Sequence, residues 1–368
     1  MPSSSRFAVI EKPGGPIVIR EARIPSLEPG SALLRTLYSE VCGTDCHLFH
    51  GRLSGVPYPL TPGHVSVGEV VEICGELRDA EGLPFQTGEV AAFFDVHRTC
   101  GRCWHCLVAK TATRCPERRV YGITYGTEDG LFGGWSEFIH LLPGVLPLRL
   151  PRDLDPLTYI AGGCGMPTAF HAVERAGIRM GDTVAVQGCG PVGLCVAAFS
   201  AASGAARIVV LGAPGNRLTL ARRFGADAAL DIRTLNPVER VAAVRELSGG
   251  RGADVTIEAS GNPAAIPEGM EMTRDGGVYV IAGQYTDNGP SQIHPHYHIN
   301  RKHLDVRGCW GSEFSHFHRG ITMMTRLSPR VPWQDMIGAT YSLRETPQAL
   351  EDVEQLRVSK AVIDPWKP

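Results

Sequence analysis

The chain of 368 residues has no apolar run long enough to cross a bilayer, and its opening residues, Met1-Pro2-Ser3-Ser4-Ser5-Arg6, lack the apolar core of a signal peptide. A cytoplasmic protein without a membrane partner is the expectation. Neither sign of charge prevails: 36 Lys and Arg face 38 Asp and Glu, a formal net charge of -2. No global field therefore recruits nucleic acid or an anionic lipid surface. With 43% hydrophobic and 20% charged residues, nothing in the composition suggests disorder, and the length leaves room for two domains. Cysteine is not scarce. Eleven of them would suggest disulfides in a small secreted domain, but in a long chain with no signal they point to reduced thiols and metal.

Three stretches carry chemistry. Cys42-Gly43-Thr44-Asp45-Cys46-His47 puts a thiolate, a hydroxyl and an imidazole within one helical turn. A catalytic zinc takes three sulfur, nitrogen or oxygen ligands and leaves a fourth position open. His64 and Cys164 are the candidates to complete a Cys, His, Cys set with Cys42, at separations that only the fold can close. The ordinary alternative for Cys42 is a buried apolar cysteine. The second stretch is Cys100-x-x-Cys103-x-x-Cys106 with Cys115 after eight more residues. Four thiolates on one short lobe fit a closed, tetrahedral, structural zinc; a cluster of free thiols is the alternative.

The third is Gly188-Cys189-Gly190-Pro191-Val192-Gly193, which lies between a buried strand, Thr183 to Val186, and a small-residue helix, Leu194 to Ser203. The first glycine allows the turn, the second lets pyrophosphate approach the backbone, and the third lets helix pack on strand, with the helix N-terminus facing the phosphates. Further strands at Arg207 to Leu211, Val255 to Glu258 and Val278 to Ile281, with a helix at Arg217 to Phe224, predict an α/β, doubly wound parallel sheet. Ahead of it, from Phe7 to about Gly144, short β-rich segments divided by Pro and Gly predict a mainly β domain, its clearest strands at 67–73 and 89–94. His294, His296 and His298 alternate, which on an extended segment would turn them one way and allow metal binding; an exposed or interface loop is the commoner explanation, because Pro295 interrupts any regular strand. The C-terminal segment reads as a helix ending near Arg357 and a strand from Lys360 to Ile363.

In order and separation these motifs, together with Gly63-His64, Gly133-Gly134-Trp135-Ser136-Glu137-Phe138, Cys164 and Thr168, resemble the zinc-dependent medium-chain alcohol dehydrogenases from Cys42 to Lys360. The resemblance implies a GroES-like barrel catalytic domain over 1–164 with a zinc lobe at about 97–118, a Rossmann cofactor domain over 165–310, and a return segment, 311–368. It implies two zinc ions per chain, NAD or NADP as cofactor, a small alcohol or carbonyl substrate, and a homodimer or homotetramer. By the same resemblance, an alcohol polarised at Cys42, His64 and Cys164 loses its proton to Thr44. The proton then passes through the cofactor ribose towards His47, while hydride leaves for nicotinamide. Asp45 orients His64, Thr168 lies near the nicotinamide, and Lys360 meets the pyrophosphate.

Two positions depart from the family. Val65 stands where a glutamate commonly follows Gly-His, so ligation of the metal is left to Cys42, His64 and Cys164. After Leu211 comes Gly212, where an acidic residue normally meets the adenosine ribose, while Arg217 is in reach of a phosphate; NADP is therefore expected to serve at least comparably with NAD. Two rivals remain: an enzyme using zinc and cofactor for a rearrangement or cyclisation without net redox change, and a non-catalytic zinc- and nucleotide-binding relative.

Overall fold

Strand Ser31–Val41 organises the first half of the chain because it is paired along both edges. In the computed structural model, which describes residues 3–368, the chain divides into two compact units, residues up to 163 with 334–368, and residues 164–333. Ser31–Val41 pairs antiparallel with Ser66–Cys74 on one side, and with Phe138–Leu141 and Lys360–Ile363 on the other. Ile337–Tyr341 extends the sheet beyond Lys360–Ile363, and Val90–Phe93 and Pro147–Arg149 extend it beyond Ser66–Cys74. The strands expected at 67–73 and 89–94 are thus present. Leu34, Val70, Phe93, Tyr121 and Ile139 pack into one core against this sheet.

The second unit holds a six-stranded parallel sheet. Its spatial order is Ala228–Asp231, Arg207–Gly212, Thr183–Gln187, Ala253–Glu258, Thr273–Ile281, Asp305–Gly308. Counted along the chain that is 3-2-1-4-5-6, the dinucleotide-binding order, which reverses between Thr183–Gln187 and Ala253–Glu258. The two edge strands carry little strand pattern in the sequence. The return segment expected from 311 begins in this division at Gln334, because helix Phe314–Leu327 turns its apolar side onto helix Gly165–Ala176 within the second unit. His294, His296 and His298 do not line an extended strand: Pro295 has helical dihedrals and a π-helical turn, His296–Asn300, follows it. They are absent from the groups able to hold a metal among the described residues. No helix of the described residues is long and apolar enough to cross a membrane.

The seam between Gly165–Ala176 and Phe314–Leu327 makes a pH-sensitive contact. His171 and His316 stack at 4.2 Å and 15°. Nδ1 of His171 donates to the Gly311 carbonyl at 2.7 Å, and His316 Nε2 lies 3.2 Å from Glu174, which also pairs with Arg319. Burial first, then the neighbouring His171, push His316 down to about 4. An unfolded histidine titrates near ~6.5, so on acidification the unfolded chain takes this proton before the folded one. The stabilising contribution is complete above ~6.5 and is lost as pH falls towards the folded value. The melting temperature of the parent is accordingly expected to fall between about pH 7 and about pH 5, and that of His316→Gln to fall by less. Equal losses in the two proteins contradict this.

Candidate metal centres and cofactor loop

Helix Gly43–Phe49 starts at Cys42, whose backbone N–H donates to the Asp45 carboxylate at 2.8 Å. This capping contact fixes the first turn of the helix at the residue that carries the thiol. Cys42 Sγ lies 4.0 Å from His64 Nε2, and the ligand atoms of Cys42, His64 and Cys164 all lie within 4.8 Å of one another. Cys164 is the first residue of the second unit and is peptide-bonded to Gly163, the last of the first, so its place follows from the turn that precedes it. Tetrahedral zinc with Zn–S near 2.3 Å and Zn–N near 2.0 Å needs sulfur and nitrogen roughly 3.5 Å apart. The Cys42–His64 separation of 4.0 Å is within about half an ångström of that.

The surroundings favour a cation. His64 is 5% exposed and Asp45 fully buried. Their facing atoms, Nδ1 and Oδ1, have no hydrogen-bond partner and stand 4.0 Å apart. Burial lowers the His64 pKa, but the Cys42 sulfur and Asp45 outweigh it and raise the imidazole to about 10. Burial, followed by Cys42, pushes Asp45 well above the carboxylate range. Two thiols and an imidazole gathered in this way are the donor types that zinc prefers. Thr44 and His47, three apart on the same helix, share a face.

The four cysteines of the lobe also converge, their sulfurs all within 4.8 Å. Cys103 and Cys106 sulfurs are 3.6 Å apart. Backbone N–H groups of Cys100 and Cys103 donate to the sulfurs of Cys115 and Cys100, both at 3.3 Å, as thiolates require. Such backbone donation, led by Arg102, pulls Cys100 down to about 7. The eight-residue spacer is taken up by the end of helix Trp104–Leu107, a left-handed residue, Lys110 (φ +53°), and the 3-10 turn Ala112–Arg114. None of the eleven cysteines is joined in a disulfide.

The glycine-rich loop follows strand Thr183–Gln187 and opens helix Pro191–Ala202, with Pro191 in its first position and Val192 after it. Gly188 has φ +118°, and a Cβ there would stand 2.7 Å from the Ala259 carbonyl; one at Gly193 would overlap the Gly188 carbonyl. Gly190 has nothing within 4 Å of a built Cβ, which leaves its backbone open to a ligand. Gly212 has no room for a side chain, because Cys189 Sγ fills the space where its Cβ would go. Arg217 is 7% exposed, and burial lowers its pKa. Asp231 sits beside Gly212 in the ladder and is paired with Arg233. Thr168 Oγ1 donates to the Cys164 carbonyl at 2.8 Å, one turn into helix Gly165–Ala176.

Lys360 is the site residue whose surroundings differ most from expectation. It is 1% exposed, and its ammonium lies 2.9 Å from Glu40, also 1% exposed. Its charge is matched inside the fold instead of standing ready for a pyrophosphate. Glu40 went unnoticed in the sequence; the only signal was a carboxylate inside the strand run Leu37-Tyr38-Ser39-Glu40-Val41. Leu48 is core, packed with Ile10 and Leu60, and Trp104 is 63% exposed on the cysteine lobe.

Two family models match the chain: alcohol dehydrogenase GroES-like domain over residues 28–149, and zinc-binding dehydrogenase over residues 191–326. The 5-exo-hydroxycamphor dehydrogenase of Pseudomonas putida is 32% identical over 338 residues, covering 91% of this chain and 92% of that protein. A solved alcohol dehydrogenase from Thermotoga maritima superposes with a TM-score of 0.94 at 33% identity, over 98% of this chain and 99% of that one. A Sinorhizobium meliloti protein described as a zinc-binding dehydrogenase, solved with NADP, superposes with a TM-score of 0.86 at 26% identity, over 99% and 100%. The chain belongs to the zinc-binding medium-chain alcohol dehydrogenases, built from a GroES-like domain and a Rossmann-type parallel sheet.

Proposed function

We propose that this chain oxidises an alcohol to the corresponding carbonyl compound, or runs the reverse, with zinc and NAD or NADP. The observation that carries the reading is the convergence of Cys42, His64 and Cys164, with Thr44 and His47 on the helix that begins at Cys42. The two thiols and the imidazole are the groups that would hold the catalytic zinc, and Cys100, Cys103, Cys106 and Cys115 those that would hold the structural one. Bound at these sites, zinc supplies Lewis acidity to the alcohol oxygen and nicotinamide supplies a hydride acceptor.

The chain's own residues do the rest. The Thr44 hydroxyl takes the proton of the substrate hydroxyl and His47 carries it outward. Burial and the neighbouring Arg52 hold the His47 imidazole below its ordinary value, so it is neutral and able to accept near neutral pH. Asp45 holds the first turn of the helix and faces the rear nitrogen of His64. The loop Gly188 to Gly193 receives the pyrophosphate on backbone N–H groups. Thr168 stands on the helix that begins after Cys164 and would help to hold the nicotinamide.

Gly212 offers no carboxylate to repel a 2'-phosphate, and the Asp231 carboxylate beside it is paired with Arg233. NADP is expected to serve at least as well as NAD, with Arg217 on the phosphate side. Initial rates with both cofactors decide it: a preference for NAD of about a thousandfold contradicts the assignment. Gly212→Asp alone is expected to disturb the loop through Cys189; only with Cys189→Gly beside it should preference move towards NAD.

The substrate panel should begin with secondary alcohols, since hydroxycamphor is one and the first relatives include L-threonine 3-dehydrogenases. Growth of reduced nicotinamide with such an alcohol is the expected result. Product without net absorbance change would instead favour a rearrangement, and cofactor binding without turnover a scaffold. We further read the enzyme as a cytoplasmic homodimer or homotetramer, cysteines without disulfides being in keeping with a reducing compartment.

A further inference from the structure

We propose that the buried pair Glu40–Lys360 is a positioning device for the Cys164 ligand, with Glu40 supplying from the neighbouring strand the carboxylate that the chain lacks at Val65. The inference rests on the reading of Cys42, His64 and Cys164 as a metal site. Its first support is register. Ser39 opposes Ser66, and the Glu40 N–H donates to the Val65 carbonyl at 3.0 Å, so residues 40 and 65 are a directly opposed antiparallel pair. Opposed residues project to the same face with Cβ atoms roughly 5 Å apart. A carboxylate on residue 40 therefore starts from almost the same place as one on residue 65. Glu40 also opposes Val362 on strand Lys360–Ile363, which makes Lys360 its diagonal neighbour on that same face.

The second support is what the pair touches. Gly163 separates helix Pro156–Gly162 from Cys164, with a left-handed φ of +48° and ψ of -140°. A Cβ built on it would fall inside contact distance of both Glu40 Oε2 and Lys360 Nζ. The ion pair is thus packed directly beneath the turn that aims the Cys164 thiol, and the glycine is required because the pair occupies the space. Glu40 is held in turn by Trp135, whose indole Nε1 donates to the Glu40 carbonyl at 3.1 Å. Two charges that are 1% exposed are a costly way to fill a core, and an apolar pair of the same volume is often as stable or more so. A fixed turn next to a ligand gives the pair a role that apolar packing would not.

The test separates positioning from stability. Glu40→Gln leaves the ammonium of Lys360 buried and unmatched, so it is expected to destabilise the chain. Glu40→Gln with Lys360→Met removes both charges and is expected to melt near the parent. In both proteins the rate at which a chelator withdraws the more labile zinc, followed with a colorimetric indicator, should rise by about 10- to 100-fold, the usual consequence of losing a partner behind a ligand. Gly163→Ala, which presses on the pair from the turn, should act in the same direction. A folded double variant that releases zinc at the parental rate overturns the proposal. A parent that holds only the four-cysteine zinc overturns the metal reading itself and this proposal with it, and metal analysis of the parent tells the two failures apart.

Discussion

Cys164→Ser is expected to fold, to keep the zinc of the four-cysteine lobe, and to lose essentially all turnover. Serine is a poorer metal ligand than a thiolate, and the position is only half-buried at a helix start, so the fold has little at stake there. Lewis-acid polarisation by a bound metal contributes several kcal/mol to the barrier, which at about 1.4 kcal/mol per decade predicts a fall in kcat of about a thousandfold or more. Zinc content should drop from about two to about one per chain, one donor group being left intact. A variant with two zinc ions and parental kcat contradicts the assignment of Cys164.

Cys103→Ala is expected to do the reverse, damaging stability first. The lobe has little apolar core of its own: Trp104, Leu107 and Val108 are 63%, 54% and 64% exposed. What holds residues 100–115 together is the convergence of four sulfurs, which in the absence of metal are titratable thiols crowded within 4.8 Å. A structural zinc contributes its binding free energy to folding. If only several kcal/mol of that is felt globally, the rest being lost in local opening of the lobe, the melting temperature should fall by about 10 °C. Limited proteolysis should cut first within the lobe. A Cys103→Ala chain that melts with the parent and keeps both zinc ions contradicts this reading.

How far the sequence foretold these features follows the range of the interaction behind each. The four-cysteine lobe was legible because its spacing is local and its chemistry is contained in sixteen residues, Cys100 to Cys115. The phosphate loop was legible because Gly188 and Gly193 are dictated by sterics that the sequence pattern records. Cys42, His64 and Cys164 could be named as candidates, but their meeting depends on a strand, a loop and a helix start far apart in the chain. Glu40 could not be read at all. Its meaning depends on the register of Ser31–Val41 against two other strands, and a one-residue slip would turn its carboxylate to the other face. The same register explains Lys360, whose basic character was visible while its partner was not. Edge strand Asp305–Gly308 is mostly exposed and has no apolar alternation to announce it. The histidines at 294, 296 and 298 alternate like strand residues, but Pro295 argues for a loop, and the segment is largely exposed and turns helically there.

The most direct measurement is turnover followed against zinc content while a chelator removes metal from the parent enzyme. The open Cys42, His64 and Cys164 site should empty before the closed four-thiolate site. Alcohol-dependent formation of reduced nicotinamide should fall in step as zinc declines from about two ions per chain to about one, and return when zinc is restored. Full turnover by a chain that retains only the zinc of Cys100, Cys103, Cys106 and Cys115 would contradict the account.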